Sequence, residues 1–97
     1  MKSIFPSTQY KKDLKRYRHQ QKKLDALAVI IDILANDLPI HEEYRPHMLH
    51  GEYKGCMECH VQGDFLLIWI DKESNVIELV RLGSHSELLQ CSTCSWR

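Results

Sequence analysis

The run Phe65-Leu66-Leu67-Ile68-Trp69-Ile70 is apolar at every position and is bounded by Gln62-Gly63-Asp64 and Asp71-Lys72-Glu73-Ser74-Asn75. A strand with one wet face alternates apolar and polar residues, so an unbroken run predicts a strand covered on both faces. The neighbouring segments supply its partners. Tyr53 to Val61 reads as one strand and Val76 to Leu82 as another. The short turns between them imply an antiparallel meander. Ser3 to Phe5 adds a candidate edge strand. With 97 residues, the chain is long enough for one domain with a thin core. Residues 1–89 are assigned to that domain and 90–97 to a polar tail.

Both sides of the central strand need cover, and the first third of the chain offers two helices. Pro6-Ser7-Thr8 is a helix start with Ser7 or Thr8 as N-cap. Tyr10, Leu14 and Tyr17 lie on one face of a first helix, Ser7 to His19. Leu24, Leu27, Ile31 and Leu34 form the stripe of a second, Lys22 to Asn36, and Pro39 ends it. The two are read as an αα-hairpin. Residues 37–52 form a long connection that carries His41, His47 and His50, three of the six histidines. Long connections are often functional. Gly83-Ser84-His85 is read as a strand exit into a short helix, Ser84 to Leu89. The fold class is therefore α+β.

The net charge of zero hides an asymmetry. Residues 1–24 carry eight Lys or Arg and one Asp, a charge of +7, and the remainder carries −7. Lys11, Lys12, Lys15, Arg16, Arg18, Lys22 and Lys23 fall within thirteen positions. Such a run is either a solvated helix face or a surface for nucleic-acid phosphates. Tyr10 and Tyr17 are placed toward the core. No apolar run reaches the ~18 residues of a membrane span, and the first residues lack the apolar core of a signal peptide. A cytoplasmic location without membrane contact is expected.

Cys56/Cys59 and Cys91/Cys94 form two CxxC pairs, a spacing shared with Cys₄ zinc sites. Cys56 to His60 also spells a haem-attachment pattern, which requires an oxidising compartment. Positions i and i+3 of a strand point to opposite faces, so the Cys56 and Cys59 thiolates diverge. Free buried thiols are the expectation, with no metal or cofactor. A zinc-stabilised binding module is the alternative.

A chemical set gathers in the second half. Cleaving RNA with side chains requires a base for the ribose 2′-OH, an acid for the departing 5′-oxygen and a cation at the phosphate. Histidine suits proton transfer and arginine suits phosphate. His60 ends one strand, Asp64 lies in the next turn, Arg81 ends the third strand and His85 follows it. His47 lies in the long connection. Each has an ordinary alternative: Asp64 as a turn residue, Arg81 paired with Glu78 or Glu87, and Ser84 as an N-cap with Glu87. The meander alone does not prove that Asp64 and Arg81 meet.

The string of Tyr44, His47, Leu49, Gly51, Tyr53-Lys54-Gly55, Cys59-His60-Val61, Asp64, Leu67-Ile68-Trp69 and Arg81-Leu82-Gly83-Ser84-His85-Ser86-Glu87-Leu88 resembles the YafQ branch of the RelE toxin superfamily. The basic opening Tyr10 to Lys15 and the pair Leu38-Pro39 fit as well. The resemblance spans Tyr10 to Leu89, 80 of 97 residues. It implies two N-terminal helices on a small antiparallel sheet of three to four strands. It implies a toxin that cuts mRNA in the ribosomal A site without a metal, is neutralised by a cognate antitoxin, and meets operator DNA only through that complex. By position it assigns His85 as general acid, Asp64, with or without His60, as general base, and Arg81 to the phosphate, with His47 and His60 orienting the backbone. Phe65 and Lys54 would lie near substrate, and Lys11, Lys12, Lys15 and Arg16 would face ribosomal RNA. Met57 stands where a relative carries Arg, and Leu89 where an aromatic closes the site. These departures leave open a weakened toxin that acts as a binding or repressor subunit.

Overall fold

The computed structural model describes residues 2–49, 55–72, 75–84 and 88. Among these, five strands form one sheet in the order β1-β5-β4-β3-β2. They are β1 (Ser3–Pro6), β2 (His47–Met48), β3 (Met57–Gln62), β4 (Phe65–Lys72) and β5 (Val76–Ser84). The apolar run is the middle strand, as its composition requires. The β3-β4-β5 meander is antiparallel.

The sheet is mixed rather than antiparallel, because β1 pairs in parallel with β5, Ser3 opposite Val76 and Pro6 opposite Leu79. A parallel neighbour needs a long crossover. Here the helices, the connection and the meander together provide it, and no local pattern in the sequence signals that pairing. The fifth strand, β2, forms inside the long connection and pairs with β3 through His47–Glu58 and Met48–Met57. Two residues are too few for a periodicity to show.

Helix α1 (Thr8–Lys15) stops four residues before His19, and residues 16–19 form turns. Ser7 caps it, its Oγ accepting from Tyr10 N at 3.1 Å and donating to Val80 O at 3.0 Å. Helix α2 (Gln21–Ala35) lies within a residue of its predicted bounds. The expected αα-hairpin gives way to helices that each dock on the sheet, α1 against β5 and α2 against β3 and β1. Lys2 N donates to Ala35 O at 2.7 Å, tying the end of α2 to the start of β1. A single 3₁₀ turn, η1 (Glu42–Tyr44), follows in the connection. The short C-terminal helix and the tail lie outside the described residues, apart from a helical Leu88.

The sheet has apolar cover on both sides. The larger cluster joins Tyr10, Tyr17, Leu27, Ile30 and Leu34 of the helical segment to Cys59, Val61, Phe65, Leu67, Trp69, Ile77, Leu79 and Leu82. The smaller one holds Leu49, Cys56, Leu66, Ile68 and Leu88 on the opposite face. Tyr10 and Tyr17 are buried, as expected. Cys56 and Cys59 fall in opposite clusters as free thiols, so this CxxC pair cannot close on one ion. Cys91 and Cys94 lie outside the described residues.

Candidate active site

Residues directly opposite each other in an antiparallel pair share a face. Glu58 pairs with Ile68, and Ile68 with Arg81; His60 pairs with Leu66. Leu66 and Ile68 belong to the cluster away from the helices. Glu58, His60 and Arg81 therefore project from that face, and His47, opposite Glu58, joins them. A register shift between Ile68 and Trp69 makes Val80 the extra residue of a bulge and places Arg81 on this side.

The meander brings the Asp64 turn to the end of the sheet toward which β5 runs after Arg81. Phe65, next to Asp64, pairs with Ser84. The β3–β4 turn thus shares one end of the sheet with the exit of β5, three residues beyond Arg81. Gly63 takes φ 55° in that turn, a conformation glycine accepts at little cost. His60 Nδ1 lies 3.2 Å from Gly63 O, which holds the ring against the turn. A cleft of about 550 Å³ opens there, lined by Glu43, Tyr44 and Arg45 on one side and by residues 60–64 on the other. His60 and Asp64 share this cleft. Arg81 stands two strands away on the same face, on the order of 10 Å across the sheet.

His47 is fixed from two sides. Its Nδ1 lies 2.8 Å from Arg45 O, and its Nε2 lies 3.1 Å from Glu58 Oε1. Glu58 has no exposed surface, and neither of its oxygens makes a well-aligned hydrogen bond among the described residues. Burial pushes its carboxyl above the usual range, and His47 opposes the shift only in part. Arg81 is held by Asp13 of α1, with Nε to Oδ2 at 2.8 Å and Nη2 to Oδ1 at 3.3 Å. Asp13 is 1% exposed and also accepts from Leu82 N at 3.0 Å and Gln9 Nε2 at 3.3 Å. Of the two ordinary partners open to Arg81, Glu78 binds Lys72 at 2.8 Å and Glu87 lies outside the described residues.

Three residues escaped the sequence reading. Asp13 and Glu58 are charged residues whose burial no local pattern reveals. Arg45 lines the cleft beside His60 and takes φ 50°, rare for a side chain of its kind. The clustering of prolines and histidines around it was the available signal.

Two expectations are corrected. Phe65 is 1% exposed and meets Tyr17 in a tilted ring contact, centroids 4.6 Å apart, on the helix side of the sheet. It is a core residue, on the sheet face away from His60 and Arg81. Met57 also packs toward the helix-side cluster, so an Arg-to-Met change here removes no cation from the His60 face. Lys11, Lys12, Lys15 and Arg16 are exposed, as expected. His85, Lys54 and Leu89 lie outside the described residues. No helix among the described residues is long and apolar enough to cross a membrane.

Together these elements make an α+β fold with histidine, carboxylate and arginine side chains on one sheet face. Residues 2–90 match the YafQ family of bacterial toxins of type II toxin–antitoxin systems, and the chain belongs to that family. It is 43% identical over 60 residues to the putative toxin YafQ of Haemophilus influenzae, covering 59% of each chain. It is 32% identical over 83 residues to the mRNA interferase toxin YafQ of Escherichia coli strain K12, covering 84% of this chain and 89% of that one. The crystal structure of the E. coli DinJ–YafQ toxin–antitoxin complex superposes with a TM-score of 0.79 and 31% identity, over 91% of this chain and 97% of that one.

Proposed function

We propose that this chain is a cytoplasmic mRNA endoribonuclease that acts in the ribosomal A site and is neutralised by a cognate antitoxin protein. The reading rests on one observation above the others. The pairing of Phe65 with Ser84 brings the Asp64 turn to the strand end that leads to His85, on the face that carries His60 and Arg81. The E. coli relative's name supports the mRNA substrate, and the DinJ–YafQ complex supports the antitoxin.

The reaction is transesterification by side chains, with no metal step. Asp64, assisted by His60, takes the proton of the ribose 2′-OH. The 2′-oxygen forms a bond to phosphorus as the bond from phosphorus to the 5′-oxygen breaks. His85 donates a proton to that 5′-oxygen. Arg81 stabilises the charge on the non-bridging oxygens, where a planar fork can hold two of them. His47 and Arg45 orient the backbone from the η1 side. The products are a 2′,3′-cyclic phosphate and a 5′-hydroxyl. The exposed Lys11, Lys12, Lys15 and Arg16 meet ribosomal RNA, and operator DNA is reached only through the antitoxin complex.

Primer-extension mapping of mRNA after brief induction, comparing the wild type with His85→Ala, tests the reading. Discrete cleavage by the wild type, absent in the variant, supports it. Intact mRNA and unimpaired growth with soluble wild-type protein would refute it.

A further inference from the structure

We infer that Asp13 is a positioning residue for Arg81, and so for phosphate binding; this rests on the nuclease reading above. Asp13 lies on α1, 68 positions from Arg81. Beyond Pro6 the outer edge of β5 loses its β1 partner, whose last pair is Pro6–Leu79. Here α1 takes over. Ser7 N donates to Leu79 O at 3.0 Å, Ser7 Oγ to Val80 O at 3.0 Å, and Leu82 N to Asp13 Oδ2 at 3.0 Å. The N-cap and helix thus bond the backbone of Leu79, Val80 and Leu82 in β5, and the carboxylate ends the series.

The geometry is specific to orientation. Asp13 engages the side of the guanidinium fork, Nε and Nη2. The clamp fixes the plane of the guanidinium and with it the direction of the Nη1–Nη2 edge, whose geometry suits two phosphate oxygens. An arginine held only by its aliphatic chain would sample several rotamers, each costing entropy to select. The buried carboxylate selects one beforehand. The same oxygen binds Leu82 N, so the side chain and the strand that carries it are fixed to a single atom. A neutral amide at position 13 retains the shape and an acceptor oxygen but loses the charge that makes the pair strong.

The test is a double-mutant cycle of Asp13→Asn and Arg81→Ala, with cleavage of mRNA on programmed ribosomes and thermal melting measured for each protein. Asp13→Asn is expected to melt as a folded protein and to lower kcat about 100-fold with little change in KM, the scale of a small misplacement of a catalytic group. The double variant should be no slower than Arg81→Ala, because without Arg81 there is nothing to position. Wild-type kcat in Asp13→Asn, or losses that multiply in the double variant, would overturn the inference. Should Asp13→Asn not fold, Asp13→Glu keeps the charge but moves the carboxylate. Lowered kcat with a shifted Arg81 Nε–H resonance supports the proposal, and wild-type kcat refutes it. Arg81→Ala cleaving at the wild-type rate would instead defeat the nuclease reading itself.

Discussion

His47 Nε2 stands 3.1 Å from Glu58 Oε1, and the carboxylate it meets is completely buried. The pair joins β2 to β3 on the face that carries His60 and Arg81, which anchors the long connection to the sheet. Burial penalises the charged form of Glu58 more than His47 restores it. The pair therefore sets a position more than it adds stability, as often holds for buried charges.

This gives a pH dependence with a definite sign. With its pKa raised on folding, Glu58 binds more protons in the native than in the unfolded state over the window from the usual carboxylate range up to its raised value. Its contribution to stability consequently declines as pH rises through that window. Glu58→Gln is expected to raise the melting temperature at neutral pH and to flatten its pH dependence above the usual carboxylate range. Calorimetric melts at several pH values decide it; a variant that melts lower at neutral pH and keeps the wild-type slope contradicts the assignment.

Asp64 lies exposed in the two-residue turn between β3 and β4. Asp64→Asn should change stability by no more than about 0.5 kcal/mol. As general base its loss should slow cleavage by about 10²–10⁴-fold. Single-turnover cleavage together with urea denaturation separates the two effects.

Phe65 lies between Tyr17 and the sheet, with Lys23 Nζ 5.5 Å from its ring centre. Phe65→Ala should cost about 3–5 kcal/mol, the usual range for a large aromatic removed from a core. That is a large share of the ~5–15 kcal/mol available to a domain of this kind. Denaturant unfolding measures it. A loss of RNA binding in a variant of unchanged stability would instead favour the substrate role that the resemblance implies.

Burial drives the Cys59 thiol up to about 12 and raises Cys56 as well, with Glu58 adding to the first and Glu78 to the second. Thiolate is the reactive form. Both residues should resist iodoacetamide at pH 8 in the native protein and react once it is unfolded. Peptide mapping by mass spectrometry reads each cysteine separately, and rapid native alkylation of either one would contradict its placement.

Lys11, Lys12, Lys15 and Arg16 are exposed on and just after α1, while Asp13 of the same helix is buried. Replacing the three lysines with Gln should leave the fold intact and weaken RNA binding at low salt. The slope of log K against log salt should fall by about 0.7–0.9 for each phosphate contact removed. An unchanged slope would assign the charge to solvation alone.

Patterns that are local in the chain were legible without coordinates. The apolar run Phe65 to Ile70 required a strand covered on both faces, and the Leu24-Leu27-Ile31-Leu34 stripe required a helix, because each element's burial is written in its own periodicity. The divergence of Cys56 and Cys59 was expected from strand geometry and holds although β3 begins at Met57, one residue past Cys56. The tertiary structure decided what depends on distant pairing. The parallel docking of β1 on β5, the Asp13–Arg81 clamp and the burial of Glu58 each join segments that no local pattern connects. Phe65 also turned on such a pairing: its residue type suits either a core or a base-stacking surface, and only the strand register chose the helix side. A one-residue change of register reverses the face of every side chain on a strand, and register is set by contacts between segments rather than within them.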